Sequence, residues 1–516
     1  LQDKKNCALI DYFFREEYLM ATTLAEKKTE SLGVYILKLA IAFFFIFGFG
    51  YVVPTWSTVT ELGVQAIGIF IGLVFLFTTG FSLAGASLLG LFGILLTGYK
   101  NASGLIAATL GSSTVFQLIL MYAMIYGINK TGAGEVVAKW LITRKFTKGK
   151  PLAFTLMFFI ACAVCGAFIG VTGTVLFTYA IIDAIAANLG YEKSSRWYKL
   201  MLLGTFTVSS VGSAALPFKG IALIIFGAMN SGFSSSGIEV TFGAYLVDSI
   251  IFTIIFAVAY SLCMKTIFRA DMSKLKNFDP SSMENLQNIR FNREQLYICV
   301  GFLVAVLYTV VIMVIPTGTV FYQKLNSITF ALWLMFIIAI LSFVRIDGKP
   351  FFSPEKCLTG GITWGIVLAV CAFSVVGGML SDDLAGIKEW LTLILNPIFG
   401  NMAFPVFMLI MVFVTTLITN FFSNTATGLI IASISSPFII SYSQSIGVSP
   451  TGVCVALVLA ANFAYLTMAA SGTAPLFLAH EVINKDSKFV YSYGVYTFFL
   501  FVILNTIVFT ILSYIF

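Results

Sequence analysis

Charge is what this sequence has least of. Asp, Glu, Lys and Arg make up 10% of its 516 residues, against about 25% in soluble globular chains, so an ordinary water-soluble fold is excluded. It has a single histidine, which rules out a histidine metal cluster. The eight cysteines lie mostly inside apolar runs and build no disulfide framework. Cys162 and Cys165 form a C-x-x-C on an apolar segment with no His or acid close by, so metal or redox chemistry is not expected there. No apolar run carries paired acids or a nucleophile–base pair, and no nucleotide-binding loop occurs, so no enzyme is expected and no organic cofactor. Once the loops between apolar runs are set aside no basic face remains, which excludes nucleic acid as a partner. What is abundant is apolar sequence: 59% hydrophobic residues and a mean hydropathy of +0.97. That composition specifies an all-α polytopic membrane protein in contact with membrane lipid.

A bilayer core takes about 20 apolar residues per helix. Runs of that kind lie near 33–53, 63–80, 82–99, 104–128, 200–228, 241–264, 295–315, 326–344, 360–380, 451–482 and 491–516. Two further stretches, 151–190 and 402–445, are broken at their middles by Gly, Ser, Asn and Thr, and each reads as two spans or as one hairpin. Positive charge decides between these, because cytoplasmic loops are enriched in Lys and Arg. Lys139, Arg144, Lys145, Lys148 and Lys150 precede the first stretch, and Lys193, Arg196 and Lys199 follow it. The second has only Lys388 before it and no basic residue in 446–450. Two re-entrant hairpins, entering from opposite sides, together with about 11 transmembrane helices put 25 of the 30 basic residues on the cytoplasmic side. The expected layout is a cytoplasmic segment 1–32, a first repeat 33–264 with its hairpin on the cytoplasmic side, a cytoplasmic linker 265–294, and a second repeat 295–516 with its hairpin outside. The N-terminus falls in the cytoplasm, the C-terminus outside, and the membrane is the plasma membrane (the inner membrane in a bacterium). Residues 1–32 mix basic and acidic side chains without an apolar core, so they do not read as a secretory signal. Residues 12–20 read as a short amphipathic surface helix or a disordered tail.

The halves echo one another. The tip Gly170-Val171-Thr172-Gly173-Thr174 and the tip Ser423-Asn424-Thr425-Ala426-Thr427 lie 253 positions apart, as do Ser209 and Asn462, and Lys219 and Gly472. With hairpins of opposite entry, the copies are inverted repeats, the pattern of secondary transporters whose site lies near the midplane. Non-helical backbone survives at that depth only where it is buried in protein or lines a cavity. Half-helix N-termini suit anions there, and released carbonyls suit hard cations.

The run Thr419-Asn420-Phe421-Phe422-Ser423-Asn424-Thr425-Ala426-Thr427, with the turn Ser471-Gly472-Thr473-Ala474-Pro475, resembles the divalent-anion/sodium symporter family within the wider ion-transporter superfamily. The likeness runs from about residue 33 to the end. It implies that Ser423, Asn424 and Thr425 contact an anionic group of the substrate, with Thr473 beside it. It implies that Thr419, Asn424, the Phe422 carbonyl and Gly472 surround a sodium ion, and that the protein is a homodimer whose hairpin-bearing domain moves like an elevator. The first repeat departs from that pattern: only Thr172 survives of the tip motif, and Lys219 stands where the family has a sodium-coordinating glycine. A lysine within a span costs roughly 2.5–3.5 kcal/mol on insertion scales. Its ammonium is therefore expected to stand in for the first cation or to bind substrate directly, and a change of its protonation is the variant reading. The expected function is sodium-coupled symport of a small organic anion, a di- or tricarboxylate first. The alternatives are a sodium-independent exchanger or facilitator, and a carrier of a monocarboxylate, sulfate or other oxyanion. Ser209 and Asn462 read as cavity-lining or packing residues, Gln117 as an interhelical contact, His480 as an interfacial residue rather than a proton relay, and Asp382 and Asp383 as solvated at an external span end.

Overall fold

The computed structural model describes residues 31–515, except 80, 145–146, 218–219, 234–235, 279–289, 316–318, 388, 391–392, 394–401, 468–469 and 472. The expected surface helix at 12–20 thus lies outside the described residues. Helix dominates, and the described residues contain only one two-residue ladder, Arg345–Ile346 against Lys349–Pro350. Leu32–Val52, Phe242–Thr266 and Val490–Ile515 are long and apolar enough to cross a bilayer, and shorter apolar helices surround them. Large apolar side chains such as Leu303, Leu307, Phe336 and Phe343 face outward, as a chain whose solvent is lipid requires. The chain is an all-α polytopic membrane protein.

Some spans differ in detail from expectation. The run 104–128 is two helices, Ala102–Ala108 and Ser113–Thr131, because the backbone leaves helical geometry at Thr109 (φ −104°, ψ −97°). Toward 360–380 the chain bends by 75° between Pro354–Gly361 and Trp364–Leu380. The first piece is polar, with Glu355 and Lys356, so the apolar span starts at Trp364.

Pro151–Leu189 has the length of one 39-residue helix, yet its backbone departs from helical geometry at Gly170 (φ 89°, ψ 170°), a conformation open essentially to glycine alone. Beyond it the chain turns back: Cys162 and Thr178 lie within hydrogen-bonding reach, whereas 16 residues of straight helix would hold them ~24 Å apart. The second stretch folds back as well. Phe404–Thr419 and Asn424–Ile446 run side by side, with Phe407 against Phe438 (6.1 Å), Phe404 against Tyr442 (5.4 Å) and the Tyr442 hydroxyl donating to the Met402 carbonyl (2.9 Å).

The two hairpins open toward opposite ends of Val490–Ile515. Next to the first one's base, Arg196 lies over Tyr493 (5.8 Å) and Lys199 over Phe489 (5.9 Å). At the second one's base, Phe404 meets Tyr514 (5.6 Å). Each hairpin is followed by a helix that stops short: Arg196–Ala214 before Pro217, and Pro450–Asn462 before the non-helical residues 463–467. Phe463 stacks on Phe501 at 3.8 Å, and Phe501 stands near the middle of the last helix, so the second break lies near mid-height. The hairpin starts keep the repeat offset, with Phe404 253 residues after Pro151.

Packing divides the molecule in two. One continuous core unites both hairpins, both broken spans, Phe242–Thr266 and the last helix. The other helices pack as a frame in two smaller clusters, one around Glu61–Thr78, Leu83–Leu96 and Trp364–Ser381, the other around Arg293–Val314 and Thr329–Phe343. Residues 268–278 of the linker are fastened to the hairpin core: Arg196 donates to the Phe268 carbonyl (3.0 Å), Tyr191 to Asp271 (2.9 Å) and Lys274 to Gly190 (2.6 Å).

Candidate anion and cation site at the second hairpin tip

The second tip is a knot of polar contacts. Phe404–Thr419 ends at a turn through Asn420, and Ser423 caps the next helix by accepting from the Ala426 N–H. Thr419, fully buried, places its Oγ1 2.9 Å from Asn424 Oδ1 and 2.6 Å from the Ala461 carbonyl. Three oxygens from three different helices therefore converge in the space between hairpin and broken span. Such neutral oxygens suit a hard monovalent cation.

Asn420 holds that arrangement in place. Its Nδ2 donates to the carbonyls of Thr416 (2.7 Å) and Phe463 (3.1 Å), and its Oδ1 accepts from the N–H groups of Tyr465 and Leu466 (2.8 Å each). Its own carbonyl accepts from Thr467 Oγ1 (2.5 Å). A break in a span leaves backbone groups without helical partners, and at this depth each one is costly; Asn420 satisfies those on the 463–467 stretch. Sequence reading passed over this residue. The signal available was an amide next to the tip motif whose counterpart in the first repeat is Ala167, a side chain that cannot donate.

Asn462 joins the two repeats, its Nδ2 donating to the Ser210 carbonyl (2.7 Å) and to Ser213 Oγ (2.9 Å). The first hairpin leans on the same junction. A Cβ on Gly166 would lie 2.3 Å from the Ser209 carbonyl oxygen, so hairpin and span approach as closely as backbones can. The Ser209 hydroxyl turns back to the Phe206 carbonyl (3.0 Å) and is fully buried, as a packing residue.

Of the expected substrate residues, Ser423, Asn424 and Thr425 sit half-buried together at the start of Asn424–Ile446. Phe422 precedes them with its ring exposed, leaving its carbonyl at the turn. Thr473 lies across the second break, where its hydroxyl is 3.2 Å from Ser471 Oγ. Thr172 is half-buried just beyond the first tip. No hydrogen bond joins Thr172 or Thr473 to residues 423–425 among the described residues; hairpins and breaks are connected through Asn420, Thr419 and Asn462 instead. Lys219 and Gly472 lie outside the described residues. A small cleft beside Pro217, lined by Met121, Phe242, Phe302, Ala305 and Phe330, has no polar wall and offers an anion nothing to bind.

At the basic end a cluster of charges ties the elements together. Lys199 pairs with Asp486 (2.6 Å), and Lys193 reaches both Glu481 (2.9 Å) and Asp183 (3.6 Å). Asp183 also accepts from the Tyr198 hydroxyl. The hydrogen bond from Lys199 holds the Asp486 carboxyl below its ordinary range, and the bond to Glu481 raises Lys193. His480 accepts from the Val482 N–H through Nδ1 (3.4 Å) and packs on Tyr179 (5.4 Å). At the far end Asp382 is not simply solvated; it accepts from the Tyr99 hydroxyl (3.1 Å) and the Leu384 N–H (3.0 Å). Gln117 is buried, and its Nε2 has no hydrogen-bond partner among the described residues.

A family model described as a citrate transporter matches residues 73–343. No curated protein matches the chain. The matched stretch spans the first hairpin, the first break and the linker, and stops before the second hairpin.

Proposed function

The chain belongs to the citrate transporter family, and from that premise we propose that it is a secondary carrier of a citrate-like di- or tricarboxylate, coupled to sodium at the second repeat. The observation that carries the reading is the second tip. There, buried Thr419 Oγ1, Asn424 Oδ1 and the Ala461 carbonyl converge beside the N-terminus of a 23-residue helix. The first hairpin begins a second helix arm after Gly170. Two such N-termini near mid-height, from hairpins of opposite entry, favour an anion with more than one carboxylate.

In this account Ser423, Asn424 and Thr425 hold one carboxylate, and Thr172 and Thr473 flank the substrate. Thr419, Asn424, the Phe422 carbonyl and Gly472 hold the sodium ion, whose positive charge offsets that of the substrate. Lys219 takes the first cation's place with a fixed charge, so fewer sodium ions move per cycle. The hairpin core shifts against the frame, two copies form a dimer through their frames, and the Lys- and Arg-rich end faces the cytoplasm.

Uptake of radiolabelled citrate into liposomes tests the carrier, with sodium on one side or choline in its place. Lys219→Gly and Lys219→Arg test the fixed charge: wild-type uptake with unchanged ion dependence in Lys219→Gly would dispose of it. The plain first tip, with Gly170-Val171-Thr172 in place of paired oxygens, favours a second reading as a sodium-independent exchanger or facilitator. Indifference to sodium replacement would select that reading. A thermal-shift screen with citrate, monocarboxylates, sulfate and phosphate ranks the substrates, because a ligand stabilises in proportion to the logarithm of its concentration over its dissociation constant.

A further inference from the structure

The Lys- and Arg-rich end of the hairpin core holds cations of two kinds. Several are committed to the protein: Lys193 and Lys199 pair with acids, and Arg196 and Lys274 donate to the carbonyls of Phe268 and Gly190. Lys265, Arg269 and Lys488 differ, for each is exposed and makes no ion pair among the described residues. Arg269 also holds an unusual backbone. It follows the helix Phe242–Thr266 with φ 49°, in the left-handed region where glycine ordinarily closes a helix and a larger side chain is strained. The turn is fixed on both sides, by the Phe268 N–H on the Cys263 carbonyl and the Ala270 N–H on the Met264 carbonyl (2.8 Å each). An exposed arginine kept where glycine would fit better is there for its charge, not for packing.

Two segments far apart in sequence bring these cations to one corner. Phe256 meets Phe501 (5.8 Å), while Phe252 meets both Phe501 (5.6 Å) and Phe509 (5.2 Å), so Phe242–Thr266 and the last helix run antiparallel. The end of one therefore lies beside the start of the other, where Phe268 meets Tyr493 (5.3 Å) and Tyr496 (6.4 Å). Lys488 belongs to the same corner: its neighbour Phe489 meets Tyr493 (5.0 Å), and Ser492 Oγ donates to the Lys488 carbonyl (2.7 Å). Between the cations, Ile267, Tyr491 and Tyr496 are 65%, 70% and 63% exposed. Next to them Leu262 and Phe499 begin the outward apolar faces of the two helices, which Ile254 and Ile503 continue. Asp271 and Asp486, the acids next along these segments, are engaged elsewhere: Asp271 accepts from the Ser273 N–H (2.9 Å), and Asp486 is held by Lys199.

Cations at the edge of an apolar surface, with tyrosines between, match the layers of a phospholipid: phosphate outermost, then the interface, then acyl chains. We propose that this corner of the hairpin core binds one anionic glycerophospholipid, its phosphate held by Arg269, Lys265 and Lys488 and its acyl chains laid along Leu262 and Phe499. Arginine offers phosphate a planar pair of donors, and the lysines add charge. A zwitterionic lipid carries its own cation and gains little from the three on the protein. A dissolved anion meets the same charges without the apolar surface, and exposed charges alone hold it weakly because water and salt screen them. The site lies on the core and not on the frame, so a lipid bound there fixes that end of the core at the level of the headgroups. It is separate from the second hairpin tip and does not depend on which solute the protein carries.

The full-length protein in non-ionic detergent is titrated with phosphatidylglycerol, or with phosphatidylcholine of the same chains. Bound lipid is counted by native mass spectrometry, and the melting temperature is followed alongside. Wild type is expected to retain one phosphatidylglycerol and to melt higher with it, but not with phosphatidylcholine or inorganic phosphate. The variant Lys265→Gln, Arg269→Gly, Lys488→Gln is expected to bind phosphatidylglycerol on the order of a hundredfold more weakly, about a factor of five per cation. Without lipid it should still melt no lower than wild type, because glycine accepts the left-handed turn that strains Arg269. Wild-type lipid binding in that variant overturns the proposal, and so does equal stabilisation of wild type by phosphatidylcholine or by inorganic phosphate alone. Lys150→Gln, Lys349→Gln, Lys356→Gln removes three exposed lysines elsewhere and should leave binding unchanged; an equal loss there reduces the effect to general surface charge and overturns the site. If the first variant does not fold, Lys265→Gln with Lys488→Gln decides alone, with wild-type binding as the contradicting result. None of these readouts involves transport, so they stand whether or not the carrier reading does.

Discussion

The two hairpins share an outline and little else. The first turns on one glycine, Gly170, whose carbonyl accepts from Thr174 Oγ1 (2.7 Å), and it approaches the first broken span closely at Gly166. The second turns through four residues and is stitched to its broken span by Asn420 and Thr419. One repeat is thus organised by shape and the other by hydrogen bonds. The pattern expected from the sequence puts a polar motif at both tips. Among the described residues, the side-chain bonds that join a tip to its broken span belong to the second, which is where a bound cation is proposed.

That contrast breaks first at Asn420. Asn420→Ala leaves several buried backbone groups unpaired, and should lower stability by about 3–5 kcal/mol, read as a large drop in melting temperature of the purified protein. An unchanged melting temperature would mean that the second break does not depend on the amide. Gly170→Ala forces a side chain into a glycine-only conformation and should cost about 1–3 kcal/mol. Ser423→Ala, at the other tip, removes one helix cap and should cost about 1 kcal/mol. Equal effects at 170 and 423 would erase the distinction drawn between shape and hydrogen bonding. The smallest effect is expected at the charged end, where Lys199→Ala removes an ion pair between partly exposed groups and should cost under about 1 kcal/mol. The pH dependence there has a definite sign. Asp486 is held below its ordinary range by Lys199, so its contribution is present above the unfolded value of about 3.9. It is lost as pH falls through the lower folded value. Wild-type melting should therefore lose more than that of Lys199→Ala on acidification below about pH 4.

Much of this was legible beforehand because membrane chemistry leaves few choices. Long apolar runs must be helices, and the broken stretches at 151–190 and 402–445 could be identified by the polar residues that interrupt them. The tip at Ser423-Asn424-Thr425 was legible as a motif, and Gly170 stands where the repeat offset put the first tip. Asn420 and the bridge from Asn462 to Ser210 and Ser213 were not, because their importance comes from backbone groups brought together across more than 40 residues and across the repeats. The short helix at 102–108 and the 75° bend near 362 also escaped, since composition reports how apolar a run is and not where its axis turns. Asp248 drew no notice in the sequence, where one acid in a long run looks incidental; its burial, with Oδ1 unpartnered among the described residues, is a property of the packed helices.

The most direct measurement is citrate accumulation in liposomes driven by an inward sodium gradient, for wild type and for Thr419→Val, which keeps the shape at 419 and removes its oxygen. Wild type should concentrate citrate above the outside level with sodium and only equilibrate in choline, and Thr419→Val should need about tenfold more sodium for the same rate, roughly 1.4 kcal/mol of lost ion binding. Accumulation that is the same in choline, or a Thr419→Val protein with wild-type sodium dependence, would contradict the account.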